Sequence, residues 1–131
     1  MKYLSEYVEA NQTKLFKSTG TFFAFNMKQF NENKKDGVKY VNMGMGMITE
    51  KENAKTLVEG LNNIQKEGIK QDVKDNGVKA IIWRELANHE CQINYSCEPV
   101  IDALAGYPIT EDEIKEQFKP YMAHCVKHDL F

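Results

Sequence analysis

This sequence predicts an α+β fold: a small antiparallel sheet packed with several helices, in a single domain over residues 1–131. Three observations carry that expectation. Apolar residues recur at i, i+3 and i+4 spacing over residues 3–17 and again beyond residue 54, the stripe of an amphipathic helix. Thr21-Phe22-Phe23-Ala24-Phe25 is aromatic and β-branched, the best strand signal in the chain. Thr49 with Glu52, and Thr110 with Glu113, have the spacing of capping boxes that open helices.

Taken in order, Tyr3, Leu4, Tyr7, Val8, Leu15 and Phe16 line one face of a first helix, and Gly20 is suited to the left-handed residue that ends it. The strand at 21–25 follows. The polar stretch Asn31 to Gly37 reads as a loop, and Val38 to Met47 as a second strand, the two strands joining as a hairpin with a long tip. From the Thr49 box a helix buries Ala54, Leu57, Val58 and Leu61 and closes at Gly68. Ile69 to Lys74 is expected as a short helix of its own. Residues 78–90 form the next helix around Ile81, Ile82, Leu86 and Ala87, with Trp83 on a flank. Gln92 to Tyr95 reads as a brief strand or a loop. Pro99 suits a helix N1 position. The last helix, from Thr110, presents Ile114, Phe118, Met122 and Cys125 or Val126, with Pro120 implying a kink or break at Lys119.

Composition narrows the function classes. With 42% hydrophobic residues and 14 aromatics, a packed core is within reach over most of the length. A net charge of −2 and 17 basic residues argue against a dedicated nucleic-acid binder, which carries a basic stripe. No apolar run approaches the roughly 18 residues of a membrane span, and the first residues lack a signal-peptide stretch. The three cysteines are therefore expected as reduced thiols in a cytoplasm. The 16 lysines, single arginine and 11 asparagines read as the codon usage of an AT-rich bacterial or phage genome.

Four groups of residues carry possible chemistry. On an extended strand, Met43-Gly44-Met45-Gly46-Met47 places the methionines on one face and the glycines on the other. Gly44, Gly46 and Met45 then offer a surface for a partner or flat ligand, against the plainer reading of core packing. Arg84-Glu85-Leu86-Ala87-Asn88-His89-Glu90 is the densest polar cluster, with Glu85, Asn88 and His89 within one helical turn. A histidine oriented by Glu85 or Glu90 can act as general acid or base. The lone arginine, Arg84, can fork onto a phosphate or carboxylate, against the plainer reading of an Arg–Glu network holding the helix. Cys91 and Cys97 with His124 and His128 imitate a zinc site, but five residues separate the cysteines, so no metal is assigned. Phe22, Phe23, Phe25 and Phe30 could stack bases; Phe23 and Phe25 share a strand face, so core packing is the expectation for them. No phosphate loop is present, since the glycine pair of GMG lacks the following GK[ST].

Gly20 to Asn26 with Lys28-Gln29-Phe30 is similar to the FFAFSNKQF-like opening of a family of small uncharacterised phage and prophage accessory proteins. Arg84 to Glu90 and Ala103 to Glu113 resemble the same family, so the likeness covers about residues 18–120 in one order. It implies a phage accessory protein that acts on its host by binding, blocking a defence complex or sequestering a signal molecule.

Two functions from different classes follow. The first is a non-enzymatic cytoplasmic binding protein, a homo-oligomer without cofactor, whose partner is a host protein or a nucleotide-derived messenger. Arg84 and Lys28 would then supply charge, Phe25, Tyr40 and Trp83 stacking surfaces, and Asn88 and His89 polar contacts. The second is a small hydrolase or lyase using His89 with Glu85 or Glu90.

Overall fold

A computed structural model describes residues 1–131 as seven helices and a three-stranded antiparallel sheet, the α+β class. None of the helices is long and apolar enough to cross a membrane. The chain clusters into two compact units, Lys2–Gly68 and Ile69–Phe131 with Met1, described in turn.

In the first unit, α1 (Leu4–Thr19) opens with the Tyr3 N–H donating to Glu6 Oε2 at 2.7 Å. It ends as its sequence predicts, at Gly20, whose left-handed backbone (φ 66°) returns the N–H to the Phe16 carbonyl. The strand β1 is only Phe22–Phe23. Where a loop is expected, Asn26 caps a helix, α2 (Met27–Asn33), its Oδ1 accepting from Gln29 N at 2.9 Å. The strands β2 (Tyr40–Gly44) and β3 (Met47–Glu50) complete the sheet in the order β1-β3-β2.

That order corrects two expectations. The first is the continuous strand over 38–47. Gly44, Met45 and Gly46 all take positive φ (97°, 53° and 80°), so the chain reverses there into a tight β2–β3 hairpin. Glycines on both sides of Met45 make a left-handed turn inexpensive, and Asn42 Oδ1 accepts from Gly44 N at 2.8 Å to fix it. The methionine–glycine alternation therefore fails. The second is the capping role of Thr49, which lies instead on the central strand, fully buried. Its hydroxyl accepts from Thr21 Oγ1 at 2.9 Å and donates to the Thr19 carbonyl at 3.2 Å, tying the end of α1 to the sheet.

After a 3-10 turn at Lys51–Asn53, α3 runs unbroken from Ala54 to Asn76. Gly68 does not close it. A Cβ at Gly68 would stand 2.5 Å from Val8 Cγ1, and one at Gly60 would stand 2.7 Å from Leu15 Cδ2. Both glycines serve close approach of α1, which passes antiparallel along this face of α3.

In the second unit, Gly77 (φ 80°) separates α3 from α4 (Val78–Asn88). The short helix α5 (Cys91–Asn94), where a strand or loop is expected, is bracketed by left-handed Glu90 and Tyr95. It is followed by α6 (Glu98–Ala103), with Pro99 in its first turn, and α7 (Glu111–Lys127). Thr110 caps α7 as its box predicts, Oγ1 accepting from Glu113 N at 3.2 Å. The core holds Ile81, Ile82, Leu86, Val100, Leu104 and Ile114, while Ala87 is exposed. Pro120 does not break α7: Glu116, Lys119 and Pro120 are exposed, so the carbonyl that Pro120 leaves without an N–H can turn to water.

The glycine contacts yield a signed prediction. Gly→Ala in a helix gains about 1 kcal/mol of propensity, whereas forcing a methyl into a packed contact costs about 1–3 kcal/mol. The Val8 side chain is stiff, so the clash prevails and Gly68→Ala is expected to lower the urea midpoint. In a Val8→Ala background the same change is expected to raise it. A rise in the wild-type background would show that α1 does not press on Gly68.

Candidate functional site

The single arginine sits in the interior. Arg84, on α4, is 7% exposed, and its guanidinium forks onto Asp72 of α3, which is fully buried. Nη1 donates to Oδ1 at 2.9 Å and Nη2 to Oδ2 at 3.0 Å, while Nε donates to Glu85 Oε1 at 2.9 Å. Asn76 Nδ2 donates to Asp72 Oδ1 at 2.8 Å, and the Tyr107 hydroxyl, from the loop after α6, donates to Asp72 Oδ2. Only a planar fork satisfies two carboxylates in this way; an ammonium would leave lone pairs orphaned. Burial alone would raise the Asp72 carboxyl, but the hydrogen bonds from Arg84, Tyr107 and Asn76 outweigh it and hold Asp72 below its ordinary value. Burial opposes the Arg84 charge, and Asp72 restores it beyond its ordinary value. Burial and the bond to Asp72 push the Tyr107 phenol up.

The rest of the Arg84–Glu90 segment lies around this network. His89 ends α4 with Nε2 3.6 Å from Glu85 Oε2, too long for a hydrogen bond. Glu85 is thus shared between a guanidinium that it binds and an imidazole that it only approaches. Asn88 and Glu90 are exposed. Trp83 Nε1 donates to Gln117 Oε1 at 2.9 Å, and its ring meets Tyr121 and His124 edge-on at 5.4 and 5.3 Å. Lys79 Nζ lies 5.8 Å from the Trp83 ring centre, at an open cleft of about 500 Å³ lined also by Asn76, Gly77, Val78 and Ala80. Cys91 and Cys125 are buried, and burial pushes the Cys91 thiol up, away from the reactive thiolate. No three His, Cys, Asp or Glu side chains converge as metal ligands do.

The remaining residues singled out in the sequence belong to the first unit. Phe23 and Phe25 are not core: they are 46% and 74% exposed. The strand alternation on which that expectation rests ends at Phe23, and Phe25 lies in the loop before α2. Its ring lies on Gly46, where a Cβ would stand 2.4 Å from Phe25 Cε1. Ala24 N donates to the Gly46 carbonyl at 2.8 Å, and Phe25 N to Gln29 Oε1 at 2.7 Å, so the ring is held at the hairpin tip from both sides. Beside it, Met27 is 69% and Met45 94% exposed. Lys28 is exposed in the first turn of α2. Tyr40 lies apart from the tip, its ring edge-on to Phe22 at 5.5 Å and Phe30 at 5.7 Å, its hydroxyl accepting from Lys35 N at 3.0 Å.

The structure thus joins Phe25 with Gly46 at the hairpin tip, and Arg84 with Glu85 and His89 around a buried pair. Sequence reasoning missed Asp72, Asn76 and Tyr107. The one available signal was the arginine itself: in a chain of 16 lysines, the lone guanidinium marks a place that needs a fork.

Removing the Asp72 charge leaves the buried Arg84 guanidinium with Glu85 as its one carboxylate and without its forked pair, so Asp72→Asn is expected to destabilise by about 3 kcal/mol at neutral pH in urea titration. The lowered Asp72 value contributes stability present above about pH 4 and lost as pH falls further, whereas raised Tyr107 contributes stability present below about pH 10 and lost as pH rises beyond it. Asp72→Asn is therefore expected to flatten the acid limb of the stability profile, and Tyr107→Phe the alkaline limb. An acid limb unchanged in Asp72→Asn would contradict the assignment.

Comparison with curated proteins and with solved structures finds no match for the chain. Residues 4–127 do match one protein family, described as a family of unknown function (DUF7659). With almost its whole length covered, the chain belongs to that family.

Proposed function

We propose that this protein is a non-enzymatic binding protein, a phage-type accessory factor of the host cytoplasm that modulates a host system by docking a host protein through its hairpin tip. The observation that carries this reading is the exposed apolar surface of Phe25, Met27 and Met45, held on a rigid support. Apolar groups clustered in this way are what protein interfaces use as anchors, and methionine adapts to an uneven partner. Lys28, exposed in the first turn of α2 next to Met27, borders the tip and favours a partner with an acidic rim.

A protein partner is preferred to a nucleotide messenger because the Arg84 guanidinium is engaged with Asp72 and Glu85, and the Tyr40 ring is packed among Phe22 and Phe30. Neither is free to hold a phosphate or stack on a base.

Photocrosslinking from a benzoylphenylalanine at position 45, in bacterial cytosol, is expected to capture one host protein. Its affinity for the purified chain is expected to fall by about 30-fold or more in Phe25→Ser and Met45→Ser, the loss of a hot-spot residue. Unchanged affinity in both folded variants would remove the tip from the binding surface.

A further inference from the structure

The open end of the β2–β3 hairpin, away from the Met45 tip, holds a cavity of about 550 Å³. Its walls are Gly37, Val38 and Lys39 on the approach to β2, and Glu50, Lys51 and Glu52 where β3 runs into the 3-10 turn. Cavities of roughly 300–1,000 Å³ are the ones that hold small ligands. Strand pairing sets the charges on these walls. Tyr40 stands opposite Glu50, and one residue further out Lys51 N donates to the Lys39 carbonyl at 2.9 Å, so Lys39 and Lys51 are the next cross-strand pair. Side chains opposed in this way lie roughly 5 Å apart at their Cβ atoms, where like charges repel. Neither ammonium is in an ion pair with a carboxylate of the chain. Glu50 is engaged at the end of α1, its Oε2 accepting from Asn53 Nδ2 at 3.2 Å and lying against Gly20. Glu52 is exposed and makes no such bond. The cavity therefore presents two unneutralised ammonium groups, one unneutralised carboxylate and a single apolar side chain, Val38.

We infer that this cavity binds a small zwitterion of the free amino acid class, its carboxylate between Lys39 and Lys51, its ammonium at Glu52 and its aliphatic side chain against Val38. A carboxylate between the lysines removes their repulsion and makes charge-assisted hydrogen bonds, which are the strong ones. A simple anion would leave Glu52 beside a like charge, and a simple cation would add to the two lysines. A dipolar molecule meets every unpaired charge on the walls. Gly37 leaves room for it: at φ 78°, even a Cβ there would meet nothing within 4 Å. The site and the Met45 tip lie at opposite ends of the hairpin, so this inference stands apart from the docking of a host protein.

Differential scanning calorimetry of the full chain tests it, with alanine, valine and leucine as probes. Sodium acetate and methylammonium chloride at the same concentration are the single-charge controls. At least one of the three amino acids is expected to raise the melting temperature by a few degrees more than the two controls together, the rise growing with the logarithm of concentration. In Lys51→Met and in Glu52→Gln its affinity, measured by titration calorimetry, is expected to fall by about 10-fold or more, the loss of one charged hydrogen bond. Both side chains are exposed, and the melting transition of each variant without ligand reports that it is folded. Absence of a shift with all three amino acids overturns the inference. A shift that acetate alone reproduces also overturns it, as does binding that survives Lys51→Glu.

Discussion

Asp72 is a charged carboxylate with no exposure to solvent, and an isolated ion in that position would carry a desolvation penalty of several kcal/mol. The second unit folds around it only because Arg84 arrives with a fork, Asn76 with an amide and Tyr107 with a hydroxyl. These partners come from α3, α4 and the loop after α6, so a single acceptor fixes the register of three segments. Apolar contacts such as those of Ile81, Leu86 and Leu104 tolerate sliding; a carboxylate held by four hydrogen bonds from three partners does not. Glu85 and His89 lie near Arg84 by their spacing along α4, so the segment has the polar density of a site while the geometry at Arg84 is that of a joint.

The features legible in the sequence are those decided within a few residues. Gly20 ends α1 and Thr110 starts α7 because left-handed backbone and a capping hydroxyl are local devices. Ile81, Ile82 and Leu86 are buried as their spacing predicts. The features that escaped depend on neighbours distant in the chain. Thr49 has the spacing of a cap, yet three threonine hydroxyls from separate segments make it the centre of the sheet. Gly68 has the look of a stop, yet its lack of a side chain serves Val8, far away in sequence. Asp72 is one polar residue in a polar helix, and nothing near it in sequence points to Arg84.

The candidate site divides in the same way. The glycine–methionine segment stood out as a surface for close contact, and Gly46 does accept a flat group, but that group is the chain's own Phe25. The consequence is a rigid apolar tip where strand alternation predicts a two-faced strand. A turn that needs positive φ at three successive residues outweighs alternation whenever glycines occupy its flanks.

The glycines of α3 bear on how the molecule assembles. Gly60 and Gly68 each lower the intrinsic helicity of the segment they occupy, by about 1 kcal/mol relative to alanine. Isolated helices are marginal in water in any case. The first half of α3 therefore owes its order to the α1 side chains that lie across those glycines. Neither helix is a stable template for the other, and the two form together or not at all. In a nascent chain, α1 would have to wait unpaired until residue 68 had emerged, its Val8 and Leu15 exposed to whatever apolar surface came first.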